Sequence, residues 1–329
     1  MTIGIIANPR KLHRVRNLGH LVQRHRPVIP EIPLVEKATS SLYEEPLKRI
    51  LDAGATQLVI IGGDGTAHLV DTALERIAPH INLPQAHING GTMNVRRISS
   101  GLPNKTPEYF LERLLMNQGP VDTVERTLLR IETEDTVYVG FSYVTGLVGN
   151  VLDEYYNGWA NAVEVAWIVG KAGASHLTKW INPLAQRYLH RVLRPVYLDA
   201  TLNAMTYCGE QGALVVTSLD INLPLGPFHL HPEFLQGTNE RTDFRVLRLS
   251  AKDTRAHALL WQALNATTIR GTGPGPKTIP GLDVQDTSVL KLSLPQDHTF
   301  YIDAEPYMTR TNIILTPLHQ QRRYVTGIQ

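Results

Sequence analysis

Three glycines within four residues, Gly62, Gly63 and Gly65, enclose one acid and lead into a threonine: Gly62-Gly63-Asp64-Gly65-Thr66. The apolar run Leu58-Val59-Ile60-Ile61 enters this string directly, and a helical pattern leaves it. Without a Cβ, glycine lets the backbone turn sharply and bring its N–H groups close to an anion. The N-terminus of the following helix adds the positive end of a dipole. Thr66 stands where a hydroxyl would cap that helix or touch a phosphate. The chemistry suited to this spacing is phosphate binding. The plainer alternative is a tight strand-to-helix turn with Asp64 as an N-cap. The string lacks the Lys-Ser/Thr ending of a P-loop and is not the G-x-G-x-x-G dinucleotide fingerprint.

Asp303 and Glu305 form a second candidate group. They lie two apart after the apolar run Phe300-Tyr301-Ile302, so on a strand end their side chains share one face. Acidic residues are also common in polar hairpin turns. The thirteen histidines show no convincing metal-ligand spacing. His229 and His231 alternate along one strand face without a third ligand, which favours a structural role. Cys208 is the one cysteine, so neither a disulfide framework nor a thiolate zinc site arises, and a reducing cytoplasm fits.

The elements that must carry these residues change character along the chain. Ile3 to Ala7 reads as a buried strand, followed by a basic amphipathic helix through Arg26 and a possible second strand from Ile32 to Val35. Leu42 to Ala53 has helical spacing, Gln57 to Ile61 is a strand, Ala67 to Ala78 a helix, Ala86 to Ile88 a short strand and Pro107 to Met116 a helix. Strands alternating with helices predict a parallel α/β sheet. Beyond Gly119-Pro120 the runs Leu128–Ile131, Val137–Val144, Val196–Leu202, Ala213–Thr217, Phe244–Leu249, Val289–Leu294 and Asn312–Leu315 read as strands joined by turns. That half should be mainly antiparallel. Helical stretches from Asn161 to Val192 and from Thr254 to Ala266 interrupt it, and Gly271 to Pro276 reads as a loop.

With 329 residues, 43% apolar and 19% charged, the chain has the composition of a soluble globular protein of two domains or one large one. A net charge of +2 does not argue for nucleic acid. Arg10, Lys11, Arg14, Arg16, Arg24 and Arg26 form a local basic cluster without acids, readable as a solvated helix face or as an attractor for nucleotide phosphates or an anionic membrane. Trp159, Trp167 and Trp180, among Lys171, Lys179, Arg187, Arg191 and Arg194, suit a bilayer interface or a helix's own core. No run approaches the ~20 apolar residues of a membrane span, and the N-terminus lacks a signal-peptide pattern.

The five-residue glycine string resembles the signature of the diacylglycerol kinase superfamily, which includes sphingosine and ceramide kinases, bacterial lipid kinases and, more distantly, NAD kinases. Gly91-Thr92-Met93-Asn94 followed by Gly101-Leu102-Pro103 is similar to the diacylglycerol kinase pattern Gly-Thr-x-Asn with its later Gly-Ile-Pro, and favours the lipid branch over NAD kinase. Asn8-Pro9 resembles the family's Asn-Pro turn under the nucleotide, Thr39 a threonine near the phosphates, Asp122 an aspartate that helps order the site, and Ile302-Asp303-Ala304-Glu305-Pro306 the family's Asp-Gly-Glu-Pro.

The resemblance implies a nucleotide site of Asn8, Pro9, Thr39, Gly62, Gly63, Asp64, Gly65, Thr66, Gly91, Thr92 and Asn94. It also implies a catalytic set of Asp303, as base on a lipid hydroxyl, with Glu305 beside it and Asp64 organising nucleotide or metal. ATP and Mg²⁺ are the implied cofactors, diacylglycerol the default acceptor, and peripheral membrane contact and a possible homodimer the implied associations; the metal ligands are left open. The implied fold is a three-layer α/β nucleotide-binding domain over residues 1–122, to which 317–329 pack back, and a mainly antiparallel β-sandwich lipid-substrate domain over 123–316. Five positions depart from the pattern: Val95 and Leu69 stand where the family usually has acids, Ala304 replaces a glycine, and Arg10-Lys11 replaces Ser-Gly after Asn8-Pro9. A non-catalytic nucleotide- or lipid-binding protein is the alternative these changes suggest.

Overall fold

Ile3–Ala7 forms β1, and all five of its residues are buried. Gln57–Gly62 forms β2, buried throughout and paired with β1 in parallel from Ile3 opposite Gln57 to Ala7 opposite Ile61. Such unbroken apolar runs belong to strands covered on both faces. The side chains alternate accordingly. Ile3, Ile5, Ala7, Val59 and Ile61 enter one core with Phe110, Leu111, Leu114 and Leu115. Ile6, Leu58 and Ile60 enter the opposite core with Tyr43, Leu47, Ile50, Val70 and Leu74. Burial of each large aliphatic side chain contributes roughly 2 kcal/mol, so the two cores dominate the stability of this layer arrangement.

In this computed structural model, residues 2–10, 20, 23–24, 27–35, 38–89, 95–102, 106–116, 121–157, 168, 171, 175, 182–219, 224–225, 228–230, 243–251, 267–268, 282–294, 297–309 and 312–327 are described. They divide between two compact units, one of Met1–Arg130, Val137–Gly140 and Leu318–Gln329, the other of Ile131–Thr136 and Phe141–Pro317.

The first unit continues through α1 (Ser41–Asp52), α2 (Asp64–Ile77), β3 (Gln85–Asn89), α3 (Val95–Ser99), α4 (Pro107–Met116) and β4 (Asp122–Arg126). Its sheet has the order β1-β2-β3-β19-β4, where β19 (Arg322–Gly327) lies parallel to β3 and antiparallel to β4. The α/β reading of the first third of the sequence is therefore observed. Two local expectations are corrected. The chain from Ile32 to Val35 is not a strand; ahead of it Val28 bridges to β1, through Ile5 N to Val28 O and Val28 N to Ile3 O, both 2.9 Å. Pro30 and Pro33 remove the N–H donors that a longer strand would need. Helix α2 begins at Asp64, ahead of the Ala67 start that apolar spacing suggests, with Gly63 as its N-cap.

The chain passes to the second unit through β5 (Leu129–Glu132), whose residues are divided between the units, and β6 (Val137–Gly140), which belongs to the first. There follow β7 (Ser142–Gly146), α5 (Leu147–Asn157), α6 (Pro183–Val192), β8 (Val196–Leu202), β9 (Met205–Thr217), the short strands β10 (Pro224–Leu225) and β11 (Phe228–Leu230), β12 (Phe244–Ser250), β13 (Thr267–Thr268), β14 (Leu282–Thr287), β15 (Leu290–Ser293), β16 (His298–Ile302), β17 (Glu305–Thr309) and β18 (Asn312–Pro317). The pairings run β17-β16-β7-β9-β8-β15-β18, with β12 joining β9 to β14, and all are antiparallel. Alternating burial along β8 and β15 marks a sheet covered on one face.

The single strand expected over Val137–Val144 is two, because Phe141 interrupts it. Of the helical stretch expected from Asn161 to Val192, α6 is formed and capped by Asn182, whose Oδ1 accepts from Leu184 N and Ala185 N. Trp159, Trp167, Trp180, Lys179, the 254–266 stretch and the 271–276 loop lie outside the described residues.

Candidate functional site

Because β1, β2 and β3 are parallel neighbours, the chain leaves all three at the same edge of the sheet. Asn8 follows β1, Gly63 follows β2, and residues 90–94 follow β3. In open α/β sheets this carboxyl edge is where ligands bind. The described segments after β1 and β2 thus come to one place, beside the end of β3.

Asn8 ties two of them. Its backbone N–H donates to Ile61 O at 2.9 Å, and its side-chain Nδ2 donates to Thr66 Oγ1 at 3.1 Å. Its Oδ1 accepts the N–H of Arg10 at 3.0 Å, closing an Asx turn through Pro9. Thr66 therefore does not cap α2; its hydroxyl accepts from Asn8 within the first helical turn. Gly62 is required for this closeness, since a Cβ there would stand 2.6 Å from Thr66 Cβ. The first intrahelical bond of α2 runs from Ala67 N to Gly63 O, so the N–H groups of Asp64, Gly65 and Thr66 precede the ladder at the positive end of the helix. Thr39 is exposed at the approach to α1, where its hydroxyl meets Ser41 Oγ at 2.9 Å.

Asp64 reaches away from its own helix. Its Oδ2 accepts from Val95 N at 3.0 Å and its Oδ1 from Arg96 N at 3.2 Å, which caps α3. The carboxylate thereby holds the start of α3 against the glycine turn. Gly91, Thr92 and Asn94 themselves lie outside the described residues. Val95 and Leu69 are buried apolar side chains, 1% and 6% exposed, so neither supplies an acid. Among the described residues no three His, Cys, Asp or Glu side chains gather as a metal cluster.

Beneath this edge runs a buried polar stripe that sequence reading missed. His68, fully buried, bonds Val139 O through Nδ1 at 2.7 Å, and burial together with nearby Arg96 lowers its pKa to about 4. Asp71, also fully buried, pairs with Arg96 and with Arg322 Nε at 3.3 Å, and accepts from Gln85 Nε2 at 2.8 Å. Burial alone would raise the Asp71 pKa; Arg96 and Arg322 reverse that and hold it below the ordinary value. Arg322 also reaches Glu75 Oε2 at 3.3 Å. His87 bonds Gln85 Oε1 at 3.2 Å, and its pKa is lowered to about 3, by burial first and then by Arg96.

In the second unit, Asp303 and Ala304 are the two turn residues between β16 and β17, with φ of 50° and 68°. Asp303 is 2% exposed. Its Oδ1 accepts from Phe141 N at 2.8 Å, Ser142 N at 2.9 Å and Ser142 Oγ at 3.2 Å. Glu305 is half-buried at the start of β17. Alongside, Tyr301 Oη donates to Asp153, and the Tyr156 ring stacks on Tyr301 with 6.3 Å between centroids and a 6° tilt. Burial and, second, Glu305 push the Tyr156 hydroxyl pKa up. His298 meets Thr145 Oγ1 through Nε2. Spacing alone gave no sign of Asp153, Tyr156 or Tyr301, since α5 is remote in sequence from the β16–β17 turn.

The remaining sequence candidates separate from these groups. Asp122 is exposed at the start of β4, opposite Gly327. Of the basic cluster, Arg10 is exposed and donates to Val35 O at 3.0 Å, while His20 and Arg24 are exposed; Lys11, His13, Arg14, Arg16, His25 and Arg26 lie outside the described residues. Lys171 Nζ sits 4.2 Å from the Tyr188 ring centre. No described helix is long and apolar enough to cross a membrane.

Residues 3–125 match the family described as the diacylglycerol kinase catalytic domain. None of the curated protein sequences matches the chain. Among solved structures, a candidate diacylglycerol kinase from Bacillus anthracis str. Sterne is similar at 13% identity and a TM-score of 0.62, over 99% of this chain and 96% of that one. A diacylglycerol kinase structure from the same strain is similar at 12% identity and a TM-score of 0.58, over 99% and 97%. At such identities the structures establish the fold, which extends across nearly the whole chain, and the sequence match establishes the first part. Residues 3–125 thus match the diacylglycerol kinase catalytic domain family, within a chain that has the fold of those bacterial proteins throughout.

Proposed function

We propose that the protein is an ATP- and Mg²⁺-dependent lipid kinase that transfers the γ-phosphate to a lipid hydroxyl, with a diacylglycerol-like acceptor. The observation that carries this reading is the Gly62–Thr66 turn at the N-terminus of α2, braced by Asn8 and Asp64 inside a segment that matches the catalytic-domain family. N–H groups ahead of the helical ladder suit the nucleotide's phosphates. Phosphoryl transfer then asks for positioning and charge neutralisation more than covalent chemistry. Magnesium bound to the triphosphate supplies part of that neutralisation.

In the reaction, the acceptor oxygen bonds the γ-phosphorus while the bond to the β,γ-bridging oxygen breaks and ADP leaves. The hydroxyl proton passes to a carboxylate, the role that the resemblance gives to Asp303. Three donors on its Oδ1 fix the plane of that carboxylate. Contact with the membrane is peripheral in this reading, because the acceptor lies in a bilayer, and the enzyme is cytoplasmic.

Incubation of the purified protein with γ-labelled ATP, Mg²⁺ and a panel of lipid hydroxyl acceptors tests the proposal. Label should appear in lipid; its absence from every acceptor would overturn the reading. A second reading, a nucleotide-binding protein without turnover, is favoured by one observation: both Asp64 oxygens serve backbone N–H groups, and Val95 and Leu69 bring no further acid. Calorimetric binding of MgATP without lipid phosphorylation would select it.

A further inference from the structure

Arg96 is held twice by the same helix. Its backbone N–H donates to Asp64 in the first turn of α2, and its guanidinium pairs with Asp71 two turns further along. Positions i and i+7 lie on one helix face about 10 Å apart along the axis. Arg96 is 1% exposed and Asp71 is fully buried, so this is an interior ion pair. Arg322 from β19 shares Asp71, and Tyr324 Oη lies 3.3 Å from Arg96 NH1.

Helix α3 is fixed at its other end as well. Arg126 of β4 directs Nε and NH2 onto Ser99 O at 3.1 and 2.9 Å, and Arg97 donates to Leu102 O at 3.1 Å. A five-residue helix has too few internal bonds to hold its place alone. Its position is set by these side chains. That position matters because Asp64, inside the Gly62–Thr66 turn, accepts from the first two residues of α3.

We propose that Asp71, Arg96 and Arg322 are positioning residues for nucleotide binding, which hold the start of α3 in register with the Gly62–Thr66 turn. The inference rests on the nucleotide reading above. Asp71 and Arg96 act through the backbone of Val95 and Arg96 and do not themselves touch phosphate. An interior ion pair suits this task better than a stabilising one: buried pairs are commonly replaceable by neutral or apolar groups without loss of stability, whereas removal of one partner is costly.

That asymmetry provides the test. The single variant Asp71→Asn leaves two interior guanidiniums poorly compensated, and its melting temperature should fall. The double variant Asp71→Asn/Arg96→Met removes one of those charges, and its melting temperature should return towards that of the unaltered protein. Its Kd for MgATP should nevertheless stay raised roughly tenfold or more, because small misplacements of a binding segment carry large factors. Amide hydrogen exchange at Val95 and Arg96 should also remain faster than in the unaltered protein by about the same order. Recovery of both MgATP affinity and exchange protection together with the melting temperature would overturn the proposal. If the unaltered protein binds no MgATP, the nucleotide reading fails by itself, and unchanged exchange at Val95 and Arg96 in the double variant overturns the positioning role independently.

Discussion

Asp303 Oδ1 accepts the backbone N–H of Phe141 at 2.8 Å across 162 residues of chain. The carboxylate thus satisfies the point where β6 and β7 break, in addition to any part it takes in chemistry. Replacement tests should separate the two. Asp303→Asn retains an acceptor oxygen for Phe141 and Ser142, and should fold with nearly unchanged melting temperature and bind MgATP while lipid phosphorylation is lost. Asp303→Ala strands buried donors at about 1–3 kcal/mol each and should lower the melting temperature markedly. Full activity in a folded Asp303→Asn protein would place the base elsewhere.

Ala304 occupies the left-handed region with φ 68°, and so does Ala204 with φ 67° in the β8–β9 hairpin. Both follow an Asp or Asn in a two-residue turn whose geometry favours glycine at the second place. Ala304→Gly and Ala204→Gly should each stabilise the protein by about 1 kcal/mol, seen as a higher urea midpoint with unchanged slope. A lower midpoint would mean that the alanine methyl groups contribute packing that outweighs the strain.

Stability should fall in mild acid. The pKa of His68 drops from 6.5 in the open chain to about 4 when buried, so the unfolded form binds the proton more readily between those values. The stabilisation belonging to neutral His68 is complete above pH 6.5 and is lost as pH falls towards 4, in total roughly 3 kcal/mol. Denaturant titrations at a series of pH values should show that slope, and His68→Gln should flatten it. His87, lowered further, extends the loss to lower pH. An unchanged slope in His68→Gln would assign the acid sensitivity to other groups.

Gly62→Ala should damage nucleotide binding more than folding. A methyl group 2.6 Å from Thr66 Cβ forces the first turn of α2 outward, because that carbon is anchored to backbone and cannot swing aside. The bond from Asn8 Nδ2 to Thr66 would open with it. We expect MgATP affinity reduced by about tenfold or more while far-UV circular dichroism is unchanged. Wild-type affinity in Gly62→Ala would remove this turn from the phosphate site.

What the sequence disclosed and what it withheld have physical reasons. Apolar runs such as Gln57–Gly62 and alternating ones such as Val196–Leu202 announce themselves because periodicity and burial agree there. The glycine turn was legible because its backbone demands are local. Helix α2 starts ahead of its apolar spacing because Asp64 and Gly65 have the character of loop residues, and Ile32–Val35 forms no strand because its prolines outweigh its apolar content. The interior charges were illegible: Arg96 and Tyr324 meet across 228 residues, and nothing in a local window distinguishes a buried arginine from a solvated one. The partners of Asp303 and Tyr301 are equally remote in sequence.

The placement of β19 between β3 and β4 carries a consequence for biosynthesis. Residues 322–327 leave the ribosome only after the whole of the second unit, so until then the facing rims of β3 and β4 have no strand to pair with. The interior position of Arg322 means that Asp71 also waits for its partner. Completion of the first unit's sheet therefore awaits synthesis of the whole second unit and is governed by a long-range closure, which makes the nascent chain dependent on protection of an open sheet rim.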